Sequence, residues 1–278
     1  VQESSIQLQV KKYDNYRYLC GLFASEEERR WLYSLYAFEL EMQKIYKSVS
    51  EPIVGFIKYA WWREAIEGIF TGQAPRHEVV QALARTAEQL QLNTEFFEEV
   101  ISGYEFYLEY SPPKDMEQLL YSVNQAATPI FRLATLAVGV KDQSVIDLAE
   151  DLAAAWQLIN FIYSAAKDLT RGTIMFPENL MQAYNINYKS LLTKDNAHLY
   201  VQIVKQIMQY SEELLNKIYL KKKLIPKKAL PVFLLAPILL KRIEHIKKHN
   251  YNIMLLDEPG SKLLIQLNVF LKAFRGSI

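Results

Sequence analysis

The segment SEEERRWLYSLYAFELEMQKIYKS, residues 25–48, constrains the fold more than any other stretch. Trp31, Leu35, Phe38, Met42 and Ile45 recur at i, i+4, i+7, i+11 and i+14. That spacing gathers side chains on one face and predicts a buried amphipathic helix over 26–48. Ser25 followed by Glu28 supplies a capping box at its start, each side chain satisfying an orphan backbone N–H of the other's residue. A sheet would need period-two alternation, which the chain nowhere sustains.

The same punctuation continues. Pro52 sits in the first turn of a helix ending before Gly72, and Pro75 is read as opening a third. Asn93 and Thr94 introduce EFFEEVISGYEFYLEY, which Ser111, Pro112 and Pro113 end. Further helices are predicted over 126–138, closed by Gly139, over 144–168, over 195–219, after Pro226, and over 261–274. About nine to eleven helices with short connections, and only 9 glycines and 10 prolines in 278 residues, predict one all-α domain over 1–278.

Cys20 is the one cysteine, which excludes an internal disulfide and a cysteine zinc site and fits a reducing compartment. The opening residues VQESSIQLQVKKYDNYRYL lack the apolar core of a secretory signal. The longest apolar run, ALPVFLLAPILL at 229–240, contains two prolines and falls short of the ~20 residues that span a bilayer. Net charge is +1 but uneven: 217–248 holds ten Lys or Arg against Glu244 alone, a net of +9, which leaves −8 elsewhere. The asymmetry predicts an anionic partner, here an anionic membrane surface. Nucleic acid is not expected, because no nucleic-acid motif accompanies the charge. His245 and His249 are spaced i, i+4 without an acid of the metalloprotease type and read as a surface pair.

Two predicted helices carry polar stripes. In 144–168, Leu148, Leu152, Ala155, Ile159 and Ile162 form one side, and Ala153, Gln157, Asn160, Ser164, Lys167 and Asp168 form another. In 26–48, Tyr36, Leu40, Gln43 and Lys47 share a face through steps of four and three. The ordinary reading of such a stripe is that it faces water. Alanines and a serine are poor choices for that role and suit the lining of an internal pocket.

These residues resemble the squalene/phytoene synthase family. DNYRYLCGLFASEEERRWLYSLYAFELE looks like its opening helices, and WWREAIEGIFTGQAPRHEVVQAL like a tryptophan-containing stretch after its first motif. QLINFIYSAAKDLTRGTIMFP looks like its second motif region; ALPVFLLAPILLKRIEHIKKHNYNI and FLKAFRGSI resemble its C-terminal helices. The resemblance runs from Asp14 to the end. It implies a helical bundle of the isoprenoid-synthase type, with two aspartate-rich motifs facing each other across a central cavity where prenyl diphosphates are joined head to head with magnesium. The first motif's aspartates are implied to fall on Gln43 and Lys47, and the second motif's D-x-x-E-D on Ser164, Lys167 and Asp168, with Gln157 and Asn160 preceding it. Two arginines of the family pattern fall on Tyr163 and Thr173. Holding Mg²⁺ against a diphosphate needs several hard oxygen ligands. These positions offer two lysines and one aspartate.

What the resemblance implies divides three ways. The degenerate motifs, with KSVSEP and WWREAI, look like the branch containing the mitochondrial respiratory complex I assembly factor and its bacterial relatives. This implies a non-catalytic protein without a cofactor, cytoplasmic and peripherally associated with the inner membrane, with respiratory complex I subunits as partners. Its pocket for an isoprenoid or other apolar lipid would use Tyr36, Gln43, Lys44, Lys47, Gln157, Asn160, Ser164, Lys167 and Asp168. The alternative is a prenyl-diphosphate transferase with an altered, metal-poor site, where Lys44, Lys47 and Lys167 pair a phosphate and Asp168 acts as base. Mg²⁺ belongs only to that reading. The third is a membrane or partner-binding module that uses 217–248 and has no pocket ligand.

Overall fold

Side-chain caps from Ser, Asp and Asn open six of the twelve helices among the described residues. The computed structural model describes residues 4–109, 111–186 and 197–257, with Leu271, Lys272, Gly276 and Ile278. Among them are twelve α-helices and no strand. Ser4 caps α1 (Ser5–Tyr13) and Asp14 caps α2 (Asn15–Gly21). Both arms of the Ser25–Glu28 capping box form at the start of α3 (Glu26–Ser48). α4 (Pro52–Thr71) begins on its proline and stops at Gly72, whose φ of 75° favours glycine. α5 (Glu78–Leu90) and α6 (Thr94–Glu105) follow, the latter capped by Asn93. Asp115 caps α7 (Met116–Ala137), and Asp142 caps the long α8 (Gln143–Arg171). α9 (Glu178–Ala183), α10 (Ala197–Leu220), α11 (Leu230–Phe233) and α12 (Leu235–Lys248) complete the described helices.

α3 runs through the interior, packed against α1, α5, α6 and α7. Its burial exceeds the one-sided stripe read from the sequence: Leu32, Tyr33, Ser34, Tyr36, Ala37 and Glu39 are buried along with Leu35, Phe38 and Met42. α7 packs on both α6 and α8, and α8 in turn carries α10 and α12. The short turn at 138–142 makes α7 and α8 antiparallel neighbours. Among the described residues no helix is long and apolar enough to cross a membrane.

Four boundaries differ from the sequence reading, each for a local reason. The helix read from Pro75 starts at Glu78, because 75–77 form a separate turn in which His77 N–H donates to Pro75 O (2.8 Å). α6 ends at Glu105 because the chain tightens into i→i+3 bonds that turn Leu108 inward against α4. α7 starts ten residues before 126, where Asp115 accepts from Gln118 N–H (2.9 Å) and Leu119 and Val123 extend the buried stripe back from Ala126. The apolar segment after Pro226 breaks into α11 and α12 at Leu234. Pro237 lies in the first turn of α12, where a missing N–H costs nothing. The helix expected over 261–274 lies outside the described residues except for Leu271 and Lys272, which are helical.

Candidate functional site

The two polar stripes do not face bulk water along their length. On α8, Ala153 and Gln157 are buried, Asn160, Ser164 and Asp168 are half-buried, and only Lys167 is fully exposed. Gln157 is 5% exposed, yet its amide bonds to no protein group among the described residues. The stripe therefore climbs from the core to an opening at the C-terminal end of α8, and the stripe on α3 does the same.

On α3 a chain of hydrogen bonds links opening and core. Lys47 Nζ donates to Gln43 Oε1 (3.2 Å), and Gln43 Nε2 donates to the Tyr104 hydroxyl (3.2 Å). That hydroxyl donates in turn to Glu39 Oε1 (2.5 Å). Glu39 Oε2 is paired with Arg17 Nη1 at 2.5 Å, and Arg17 Nε is also paired with Asp14. The Arg17 guanidinium lies 4.4 Å from the centroid of Tyr36. Tyr36 is thus a deep support for Arg17 rather than a residue at the opening. Glu39, Arg17 and Tyr104 were not singled out from the sequence; the available signal was a lone glutamate in the apolar run LYAFEL.

Charge at the opening is inverted relative to a metal site. Lys47 is accessible to solvent, yet the surrounding protein desolvates its ammonium and lowers its pKa, against raising influences from Asp168 and Glu39. Protein therefore crowds the Lys47 ammonium while leaving it in reach of solvent, and the surface around Lys47 and Asp168 is termed the recess. Across from it, Ser164 Oγ donates to Asp168. Burial raises the Asp168 pKa, opposed by that hydrogen bond and by the charges of Lys47, Arg171 and Lys167. The structure thus brings Lys47, Gln43, Ser164 and Asp168 together, with Arg171 added. Lys44 is not part of the group: its side chain is 73% exposed, 3.8 Å from Glu41.

The walls of the recess are aromatic. Tyr46 stacks on Tyr104 (centroids 6.0 Å apart) and lies tilted against Tyr107 (5.4 Å), and Tyr107 meets Phe161 edge to face at 6.1 Å. Burial keeps the Tyr46 and Tyr107 phenols well above their ordinary pKa, so they present neutral surface. A small hollow of about 40 Å³ adjoins Tyr107, Ser122 and Met175. A larger open hollow of about 940 Å³ lies away from both stripes, on α4, α6 and α7, where Arg63 is held by Glu98 and Glu105.

Tyr163, one of the positions implied to have lost an arginine, carries one in space. The Arg242 guanidinium from α12 sits 4.1 Å over its ring and donates to Asn160 Oδ1 (2.7 Å). Arg242 was expected in the basic surface of 217–248. It is instead 1% exposed, because the aromatic faces of Tyr163, Trp156 and Tyr16 enclose it. His245 and His249 lie with ring centroids 4.3 Å apart, and His245 Nδ1 is 3.1 Å from the Tyr163 hydroxyl.

The magnesium implied by the resemblance does not fit this donor set. Of the carried-over positions only Asp168 is a carboxylate, and the positive charge of Lys47 acts on it. Glu39, the carboxylate nearby on α3, is committed to Arg17 and Tyr104. No group of three or more His, Cys, Asp or Glu suited to a metal occurs among the described residues. A cation of charge +2 needs several anionic oxygens in one place.

A family model described as squalene/phytoene synthase matches residues 10–266 of the chain. The chain is 20% identical over 266 residues to a Bos taurus protein, "NADH dehydrogenase (ubiquinone) complex I, assembly factor 6", covering 96% of this chain and 80% of that one. It is 29% identical over 148 residues to the 15-cis-phytoene synthase of Synechocystis, covering 49% and 43%. Among solved structures, a dehydrosqualene synthase in complex with ligand superposes with a TM-score of 0.83 at 15% identity, covering 97% and 94%. The backbone is therefore the isoprenoid-synthase fold.

Proposed function

Because the chain belongs to the squalene/phytoene synthase family, we propose that it is a non-catalytic member acting in the assembly of respiratory complex I. In this reading the recess between α3 and α8 is retained to hold an isoprenoid-type or other apolar lipid. One observation carries it: Gln43, Lys47, Ser164, Lys167 and Asp168 together supply one carboxylate, bonded to Ser164 and opposed by Lys47. Ionising a prenyl diphosphate requires compensation of the departing anion by bound cations held on several carboxylates. The assembly role rests on likeness to the complex I assembly factor over 96% of the chain.

In the recess, Tyr46, Tyr107 and Phe161 would lie along the apolar chain of the ligand. Gln43 and Lys47 would meet its polar end, with Gln157 deeper along the stripe. A transferase reading stands beside this one on a specific observation. Lys47 forms no ion pair among the described residues, so its ammonium is available to a phosphate.

Two measurements separate the readings. Purified protein is incubated with a prenyl diphosphate, with and without Mg²⁺, and inorganic diphosphate is assayed. The expected result is no release above buffer; turnover that Asp168→Ala abolishes would overturn the non-catalytic reading. Mass spectrometry of co-purifying lipids then tests the recess, where a near-stoichiometric isoprenoid is expected.

A further inference from the structure

The stretch from Glu213 to Glu244 contains no acid between its ends, and the fold sorts the cations of 217–248 into two kinds. Several are already engaged. Arg242 is buried, Lys217 pairs with Asp151 (2.7 Å), Lys241 with Glu244 (2.7 Å) and Lys247 with Glu212. Lys228 donates to the Gly139 carbonyl. Lys221, Lys222, Lys223, Lys227 and Lys248 are exposed and form no ion pair among the described residues. Four of those five lie within seven residues, in the turns that join α10 to α11.

The apolar partners in this region are also redistributed. The run 229–240 packs inward, with Phe233, Leu234 and Leu239 fully buried, so it is a core segment and not an inserting one. The exposed apolar groups are instead Leu220, 86% exposed, and Leu224, 51% exposed, on either side of the three consecutive lysines. A single exposed leucine needs no explanation. Two that bracket three unpaired lysines match a surface that is anionic outside and apolar a few ångströms below. A nucleic acid or an acidic protein would use the lysines but has no such use for both leucines. The neighbouring turn touched by Lys228 contributes one acid, Asp142, already bonded to Ser144 while capping α8.

We propose that residues 220–228 form a docking site for an anionic lipid bilayer, with Leu220 and Leu224 entering the headgroup–acyl boundary and Lys221, Lys222 and Lys223 pairing with headgroup phosphates. Lysine suits this placement because its apolar stem follows the leucines while its ammonium stays at the phosphate level. The site lies at the Asp151 end of α8, opposite the end that carries Asp168. Docking therefore leaves the recess opening turned away from the bilayer plane.

The test is flotation of the 278-residue chain with phosphatidylcholine vesicles, with and without phosphatidylglycerol. Binding is expected only to the anionic vesicles, falling with added salt. Each lysine near such a surface contributes about fivefold to partitioning. The triple substitution Lys221→Gln, Lys222→Gln and Lys223→Gln is thus expected to weaken binding roughly a hundredfold. Leu220→Ser with Leu224→Ser is expected to leave a weaker attraction that high salt abolishes. All five side chains are exposed, and circular dichroism checks that the variants fold. A charge-matched control, Lys12→Gln with Lys44→Gln and Lys58→Gln, is expected to bind as the unaltered protein does. Equal loss in the control, equal binding to neutral vesicles, or no vesicle binding at all overturns the proposal, the last in favour of an acidic macromolecular partner.

Discussion

Arg17 on α2 and Glu39 on α3 form an ion pair at 2.5 Å with side chains 3% and 1% exposed, among the most enclosed charges in the described chain. Burying two charges is repaid only when their remaining hydrogen-bonding capacity is filled. Here Asp14 and Tyr104 supply part of it: Asp14 takes the Arg17 Nε–H, and the Tyr104 hydroxyl donates to the second Glu39 oxygen, while Arg17 Nη1 and Glu39 Oε2 meet only as an ion pair. Burial lowers the Arg17 pKa, but the charges of Asp14 and then Glu39 outweigh it and raise the value.

Removing one partner should therefore be costly. Glu39→Gln is expected to lose about 3–5 kcal/mol in urea unfolding, because Arg17 keeps its charge in the core. The double variant Arg17→Met with Glu39→Leu should recover only part of that loss, because the buried Asp14 carboxylate then loses its Arg17 partner. A cost for Glu39→Gln no larger than for an exposed glutamate would show that the network is not a structural pin.

Lys47 and Asp168 should report on each other by titration. The folded-state pKa of Lys47 lies below the ordinary lysine value of 10.5, so the fold gains stability as pH rises from that lowered value towards 10.5. Asp168 lies above the ordinary 3.8, so the fold loses stability as pH rises from 3.8 through the raised value. Asp168 is the leading influence that holds the Lys47 value up. In NMR of reductively methylated protein, Lys47 is expected to titrate below the other lysines, and Asp168→Asn to shift it lower still.

Diphosphate binding at the recess should not depend on magnesium. By calorimetry, inorganic diphosphate is expected to bind the wild type equally with Mg²⁺ and with a chelator. Lys47→Gln should weaken that binding by about ten- to a hundredfold, the range for a lost hydrogen bond to a charged group of roughly 1.5–3 kcal/mol. Binding that appears only with Mg²⁺ would contradict the charge reading of this site.

Gly103 should admit no side chain. A Cβ there would lie 2.0 Å from the Gln125 carbonyl oxygen, a backbone atom that cannot swing aside. The cause is Pro129, which stands four residues beyond Gln125 inside α7 and has no N–H to bond that carbonyl. The carbonyl tips towards α6, where only glycine leaves room. Gly103→Ala is expected to lose at least about 1–3 kcal/mol by the same unfolding assay, the range for overpacking a tight contact.

Much of this architecture was legible because helix signals are local. The Ser25–Glu28 box, Pro52, Gly72 and the 31–45 stripe act within a few residues of chain, and α3 and α4 appear with the boundaries those signals predict. Where a boundary moved, a weaker local signal had been passed over, as with the Asp115 cap of α7. The loss of acids at Gln43, Lys47, Ser164 and Lys167 was likewise readable, through resemblance to a family pattern.

By itself, then, the sequence determined that the chain is all-α, which faces of α3 and α8 are polar, and that their charge is wrong for a magnesium cluster. Periodicity states that a residue lies on a face, but not what that face meets. Only the tertiary structure decided that Lys47 enters the recess while Lys44, three residues away, stays outside. It also decided that Arg242 leaves the basic surface for an aromatic cage 79 residues distant at Tyr163. Glu39 becomes a buried anion for the same reason: the burial of a charge is settled by its partner, and here the partner arrives from another helix.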